Sequence, residues 1–309
     1  MTLSDWQRIW YLMKIPSKFN SLSDIKRQFN SDKRILEDLV AYGLADGKSG
    51  VAVDPYEKLR ADLILQELLA GLRSKNLKGP VLDVGCGVGH LMHCILEEGI
   101  DCEGIDIAEG VVNLAANLLE SHGFPRSKVV LRDFLRLDRG ATYSAAIANG
   151  VIWYYEDRLA FLKKVHSVLT PGGIALVIHR NDLFNLFALN EGTLGFFFTH
   201  FFEHMPLPEQ DEFRSRIINE ISGLRLPIQK HTSSVLNKAY DNPLCIHDIY
   251  TQAGFSVKNV CYAYIHPRPP RFLQQMADPE VYAQAHQAHA RNWQGMFTGS
   301  QFLVIAEKA

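Results

Sequence analysis

The chain has 309 residues, 47% of them apolar, and a formal charge of -2. That composition excludes a disordered chain and offers no broad basic field for a polyanion, so nucleic acid is not an expected partner. The length allows one large domain or two ordinary ones.

The opening MTLSDWQRIW places an acid and two tryptophans where an export signal needs a basic end and an apolar run. No later apolar run approaches the roughly 20 residues that span a bilayer, so a soluble, cytoplasmic protein without a membrane span is expected. Cys86, Cys94, Cys102, Cys245 and Cys261 form no C-x-x-C pair and read as reduced thiols. Residues 1–60 read as an N-terminal helical cap, with Leu3, Trp6, Ile9, Trp10 and Met13 at helix spacing. Two further helices and a short hairpin over residues 25–53 resemble a small winged-helix element, which would give a homodimer through the N-terminal helices; a plain cap fits the same pattern.

Residues 61–309 read as one α/β domain. From Gly79, strand-like and helix-like segments alternate: PVLDV, HLMHCILEEG, CEGIDI, GVVNLAANLLESHG, KVVLRDF, YSAAIANG, DRLAFLKKVHSVL and IALVIH. That alternation predicts βαβ units and a doubly wound parallel sheet buried on both faces. It is interrupted by helical insertions at about 181–244 and 267–298, between which lie the helix IHDIYTQAG and the strand FSVKNVCYAYI; SQFLVIAEK closes the chain.

The segment VLDVGCGVGH carries the most chemistry. A strand ending in Gly85-x-Gly87-x-Gly89 brings backbone close to a ligand, because glycine lacks the Cβ that would collide with it. A dinucleotide site would read G-x-G-x-x-G, whereas the last slot here is His90 and Asp83 precedes the first glycine. Asp106 ends the second strand, where an acid can take both ribose hydroxyls, and Asp133 with Phe134 follows the third as an acceptor and an aromatic for a base. Three acids around a glycine turn that has no Lys or Arg describe a positively charged nucleoside without phosphates.

In this order and spacing VLDVGCGVGH, GIDI, RDF, ANGVIWYYED and LTPGGIALVIH resemble the motifs of the class I S-adenosylmethionine-dependent methyltransferases, small-molecule type, over roughly residues 79–179 and the terminal strands. The resemblance implies a Rossmann-like, mostly parallel seven-stranded sheet with an antiparallel last strand, and S-adenosyl-L-methionine as cofactor with S-adenosyl-L-homocysteine as product. It places Asp83, Gly85 and Gly87 around the methionine part, Asp106 on the ribose, Ile107 on adenine, and Asp133 with Phe134 at the adenine N6 side. Asn149 would lie near the methionine amino group or the transferring methyl. Arg60, one helix ahead of the first strand, either binds the cofactor carboxylate or is a solvated helix charge.

Acceptor chemistry gathers beyond the strands' C-terminal ends, which places Trp153, Tyr154 and Tyr155 after the fourth strand and His179 after the fifth. His179 is the first candidate for general base, since imidazole titrates near neutral pH; Tyr154 and His200 are the other catalytic candidates. Asn149-Gly150-Val151-Ile152 lacks the (N/D)PP(Y/F/W) pattern associated with amino-group acceptors. GFFFTHFFEHM matches H-x-x-E-H, but it hangs from a methyltransferase-like sheet. His200, Glu203 and His204 are therefore candidates for an accessory metal at most, none being required, and the phenylalanines for a water-excluding lid. Arg268 and Arg271 of HPRPPR are candidates for an acidic group on the acceptor. The expected activity is O-methylation of a small molecule of a secondary-metabolite or sugar pathway. C-methylation of an isoprenoid or aromatic compound, or cofactor binding without transfer, are the alternatives.

Overall fold

The computed structural model describes residues 55–138, 140–202, 205–223, 240–270 and 279–309. Of the cap expected over residues 1–60, residues 1–54 lie outside them, and with them the expected dimerisation role. Strands β1 (Val81–Val84) and β4 (Tyr143–Ala148) are buried at every position. Such strands fit only inside a parallel sheet covered on both faces. With β2 (Cys102–Asp106), β3 (Val129–Leu131), β5 (Leu169–Arg180), β6 (Phe255–Ile265) and β7 (Gly299–Lys308) they form a seven-stranded sheet of order β3-β2-β1-β4-β5-β7-β6. Strands β1 to β5 pair in parallel, and β7 inserts antiparallel between β5 and β6.

The strand period of two sorts side chains onto two cores. On one face Leu82, Val84, Ala146, Ala148, Ala175 and Val177 meet Phe161, Leu162 and Val165 of α4 (Arg158–Val168) and Tyr250 of α8 (Ile246–Gln252). On the other, Val81, Ala145, Ile147, Leu176 and Ile178 meet Leu63, Ile64 and Leu68 of α1 (Pro55–Ser74) and Met92 and Ile95 of α2 (His90–Glu97). Each such fully buried aliphatic contributes about 1.5–3 kcal/mol against the unfolded chain. Helix α3 (Glu109–Ser121) buries Val111, Ala115 and Leu119 at the helix repeat.

Pro55–Ser74 is one continuous helix, so a division at 60/61 cuts through an element instead of separating two units. The first insertion contributes α5 (Phe184–Ala188), α6 (Glu191–His200) and α7 (Leu207–Gly223). In the second, the helix expected over PEVYAQAHQAHARNW is two: α9 (Pro279–His289) and α10 (Trp293–Thr298). The break is chemical, because Asn292 Oδ1 accepts from Gln294 N (3.1 Å) and caps the second helix. Among the described residues no helix is long and apolar enough to cross a membrane, and all five cysteines are free.

Candidate functional site

The C-terminal ends of the parallel strands β1, β2, β4 and β5 lie along one edge of the sheet, where open α/β sheets place their ligand crevice. After β1 the chain turns through Gly85 (φ 68°) and Gly87 (φ 57°), both in the left-handed region that L side chains rarely adopt. A Cβ on Gly85 would come within 2.8 Å of Val151 Cγ2, whereas one on Gly87 would meet nothing within 4 Å and would project into open space. The first glycine is thus required by packing against the loop after β4, and the second keeps the backbone bare toward the crevice.

Asp106, at the end of β2, braces this turn: Gly87 N donates to its Oδ2 (3.2 Å) and Ala108 N to its Oδ1 (2.9 Å). Burial pushes its carboxyl up, against the pull of those N–H groups. Asp83 is 1% exposed, and its Oδ1 is buried with no hydrogen-bond partner. Burial, then the neighbouring Asp106 charge, raises its pKa to about 7. A buried carboxylate oxygen without a partner costs free energy unless something else completes it. Asn149, which follows β4, likewise has a buried Oδ1 without a partner. Two unsatisfied acceptors thus stand at the C-terminal ends of the paired strands β1 and β4, where the electrostatics of Asp83 and Asp106 invite a cation or a proton donor.

Ile107 follows Asp106 and is half-buried. Asp133, also half-buried, caps a short 3-10 turn by accepting from Leu135 N (3.0 Å), and Arg136 Nε stands 3.6 Å from it. Phe134 corrects one expectation: its ring is buried, 5.3 Å from Phe161 and edge-on to it, inside the core under α4. Only its backbone is left to face a ligand. Tyr155 is in the same core, 4.6 Å from Phe161, with its hydroxyl pushed up by burial and then by Asp133 and Asp106.

On the acceptor side, His179 is not available as a base. It is 1% exposed, Nδ1 donates to Asp241 Oδ2 (2.9 Å), and Nε2 accepts from the Tyr250 hydroxyl (2.8 Å). Its ring also stacks on Phe302 (5.1 Å). The reason is strand parity: Ala175, Val177 and His179 point to the α4/α8 face, so both ring nitrogens are spent in the core. Arg158 adds a second ion pair to Asp241. His200 is also engaged by a carboxylate. It is partly exposed and its Nε2 donates to Asp182 Oδ2 (2.6 Å). Arg60 is not the solvated helix charge of the two alternatives: it pairs with Glu57 and Gln301 (3.0 Å) and lies over the Tyr264 ring (5.0 Å).

Tyr154 does face this region, on the turn Ile152–Tyr154 after β4. Burial raises its hydroxyl pKa, with the positive charge of Arg180 opposing. Arg180, the last residue of β5, was missed by sequence reasoning, although it follows His179 directly and so takes the opposite face. Its guanidinium lies 4.8 Å from the Trp153 ring centroid and 5.9 Å from that of Tyr240. Arg268 is exposed. Arg271, Glu203 and His204 lie outside the described residues, among which no cluster of three His, Cys, Asp or Glu side chains is placed to hold a metal. In the first insertion Phe196 and Phe198 of α6 are buried, while Phe201 is 56% exposed; Phe198 and Phe202 pack on Phe213 of α7 (5.9 and 5.4 Å).

Residues 75–210 match the family described as "Methyltransferase domain". Among curated proteins, the ubiquinone biosynthesis O-methyltransferase of Ruegeria pomeroyi is 29% identical over 122 residues, 39% of this chain and 46% of that protein. The enzyme of the same name from Bordetella avium is 28% identical over 169 residues, 52% of this chain and 68% of its own length. The chain therefore spans about half the length of the first of these relatives and about two thirds of the second. Among solved structures, magnesium protoporphyrin IX methyltransferase from Synechocystis PCC 6803, with bound SAM, superposes with a TM-score of 0.54 at 14% identity, covering 95% of this chain and 100% of that one. At that identity the likeness is one of fold.

Proposed function

We propose, from the match of residues 75–210 to the methyltransferase-domain family, that the chain is a class I S-adenosylmethionine-dependent methyltransferase and transfers the methyl group of S-adenosylmethionine to an oxygen of a small-molecule acceptor. The carrying observation is the buried, unpartnered Oδ1 of Asp83 beside Asp106 at a glycine turn. A cation with N–H donors satisfies that oxygen, and a phosphate would repel it. The residues therefore fit the methionine ammonium and sulfonium end of this cofactor. Asp106 would take the ribose hydroxyls, Ile107 would pack against adenine, and Asp133 with the backbone of Phe134 would meet its amino edge. Asn149 would accept from the ammonium group.

When bound, the cofactor would supply a sulfonium methyl to the acceptor oxygen, the bonding pair staying on sulfur and the acceptor's hydroxyl proton leaving to solvent. The chain's own contribution is alignment and dryness. Trp153 and Tyr154 form the wall where the acceptor sits, and the phenylalanines of α6 exclude water above it. With its pKa raised by burial, Tyr154 stays protonated at neutral pH and orients the acceptor through a hydrogen bond, without acting as a base. An oxygen acceptor is favoured by the aligned relatives, both named as O-methyltransferases.

Titration calorimetry tests the reading. Wild-type protein is expected to bind S-adenosylhomocysteine with Asp83→Asn much weaker, and labelled cofactor is expected to mark a hydroxyl-bearing acceptor in a mixed pool. Absence of binding by the wild type, or unimpaired binding by Asp83→Asn, removes the assignment of this cofactor site. Label appearing on carbon would redirect the acceptor.

A further inference from the structure

The end of β5 carries a cation that nothing among the described residues neutralises. Arg180 is half-buried, and no described carboxylate lies within ion-pair distance of it, although two acids stand nearby, one close in the chain and one brought alongside by the fold. Asp182 is held by His200 (2.6 Å) and by Asn185 Nδ2 (3.0 Å). Asp241, whose backbone N–H donates to the Arg180 carbonyl (2.9 Å), is held by Arg158 and His179. Both anions that would answer Arg180 are thus answered by other partners.

The position is rigid. Asn181, fully buried, donates to the Met296 and Gly299 carbonyls (2.7 Å each) and accepts from Leu183 N (3.1 Å), pinning the end of β5 to the start of β7. Packing against Trp153 and Tyr240 removes part of the guanidinium's water and strengthens its attraction for an anion. Its charge reaches the hydroxyls of Tyr154 and Tyr240, drawing both down against the larger upward push of burial. The Asp106 charge also reaches Tyr154, so the arginine and one acid of the glycine turn both act on one tyrosine.

We propose that Arg180 is the specificity-determining residue for the acceptor and binds a carboxylate on it, beside the aromatic wall of Trp153 and Tyr240. A guanidinium and a carboxylate match in plane and spacing, which a solvated lysine would not reproduce. The acceptor is then a planar organic acid whose hydroxyl is placed near Tyr154 by its own carboxylate. This rests on the methyl-transfer reading of the site, but its test is separable.

The protein is loaded with S-adenosylhomocysteine and titrated calorimetrically with matched pairs that differ only in charge: 3,4-dihydroxybenzoate against 3,4-dihydroxybenzamide, and 4-hydroxycinnamate against its amide. The acid is expected to bind at least about tenfold tighter, as a charge-assisted contact gives. That preference is expected to collapse in Arg180→Gln and to return in part in Arg180→Lys, with S-adenosylhomocysteine affinity within about twofold of wild type throughout. Equal binding of acid and amide by the wild type overturns the proposal without any variant, as does binding of neither. A large loss of S-adenosylhomocysteine affinity in Arg180→Gln also overturns it, because the charge would then serve the cofactor's carboxylate. Should wild type not bind S-adenosylhomocysteine at all, the methyl-transfer reading fails, and the acid and amide pairs titrated on the free protein still judge Arg180.

Discussion

At the glycine-turn end of the crevice Asp83 keeps a buried oxygen without a partner and Asp106 is braced only by backbone N–H groups. At the β5 end, by contrast, the acids are matched: Asp241 by His179 and Arg158, Asp182 by His200, and Glu57 by Arg60. Both regions concentrate charge, yet among the described residues only the first leaves its acids without a side-chain partner. Buried charge is tolerable when paired and costly when not. The difference separates groups that hold the fold from groups that await a ligand, with Arg180 as the exception at the β5 end.

The comparison breaks most visibly at Asp106. If Asp106 takes the ribose hydroxyls as proposed, Asp106→Ala removes their acceptor as well as the brace on Gly87 N, and S-adenosylhomocysteine affinity is expected to fall by about a thousandfold, roughly 4 kcal/mol. Calorimetry reads this directly, and unchanged affinity would show that the turn is no ligand site.

Asp241 makes the opposite case. Burial alone would push its carboxyl up, but the hydrogen bond and charge of His179, then Arg158, outweigh this and hold it below its ordinary value of 3.8. Because the folded-state pKa is depressed, its stabilising contribution is present above about 3.8 and lost as pH falls below it. Asp241→Ala strands a buried imidazole and an arginine, and should cost about 3 kcal/mol in urea unfolding at neutral pH. S-adenosylhomocysteine affinity should stay near wild type; a stable variant that loses the ligand would reverse the assignment of the two regions.

These two regions were unequally legible in the sequence. Asp83, Gly85 and Gly87 are within one strand and its turn, and Asp106 ends the next strand, so local pattern alone brings them to one edge. Phe134 was misread because an aromatic after an acid is equally a ligand wall and a core ring; only the packing of Phe161, far along the chain, turns it inward. His179 and Arg180 differ by one position and hence by a whole face of the sheet. Attention to parity along IALVIHR would have favoured the arginine. The pairing of Arg60 with Gln301 joins residues at opposite ends of the chain, which no local pattern announces.

Asp83 gives a smaller effect with a specific pH signature. Its folded-state pKa is raised from 3.8 to about 7 by burial and then by Asp106. In the free protein it therefore contributes stability below pH 3.8, lost as pH rises toward 7. A cationic ligand binds the ionised form, so binding at pH 6 should release close to one proton, and affinity should weaken by about tenfold per pH unit below 7. Calorimetry in buffers of different ionisation enthalpy measures the proton, and Asp83→Asn should abolish it. Binding with no proton exchange at pH 6 would mean that Asp83 does not face the charge.

His200→Ala is the smallest perturbation and the sharpest check on the lid. The partly exposed pair with Asp182 is screened by solvent, so the loss should be no more than about 1 kcal/mol in urea unfolding. If His200 only ties the end of α6 to the segment after β5, methyl-transfer turnover should keep its wild-type pH profile between about pH 6 and 9, the range around an imidazole's titration. A profile that loses a limb would instead make His200 part of the chemistry. The alanine also leaves Asp182 without its imidazole partner near Arg180, so affinity for an acidic acceptor should drop slightly as the freed carboxylate offsets part of the arginine's charge. That secondary loss should vanish in Asp182→Asn/His200→Ala, which makes the double variant the finest available measure of how far the β5 end depends on keeping its acids paired.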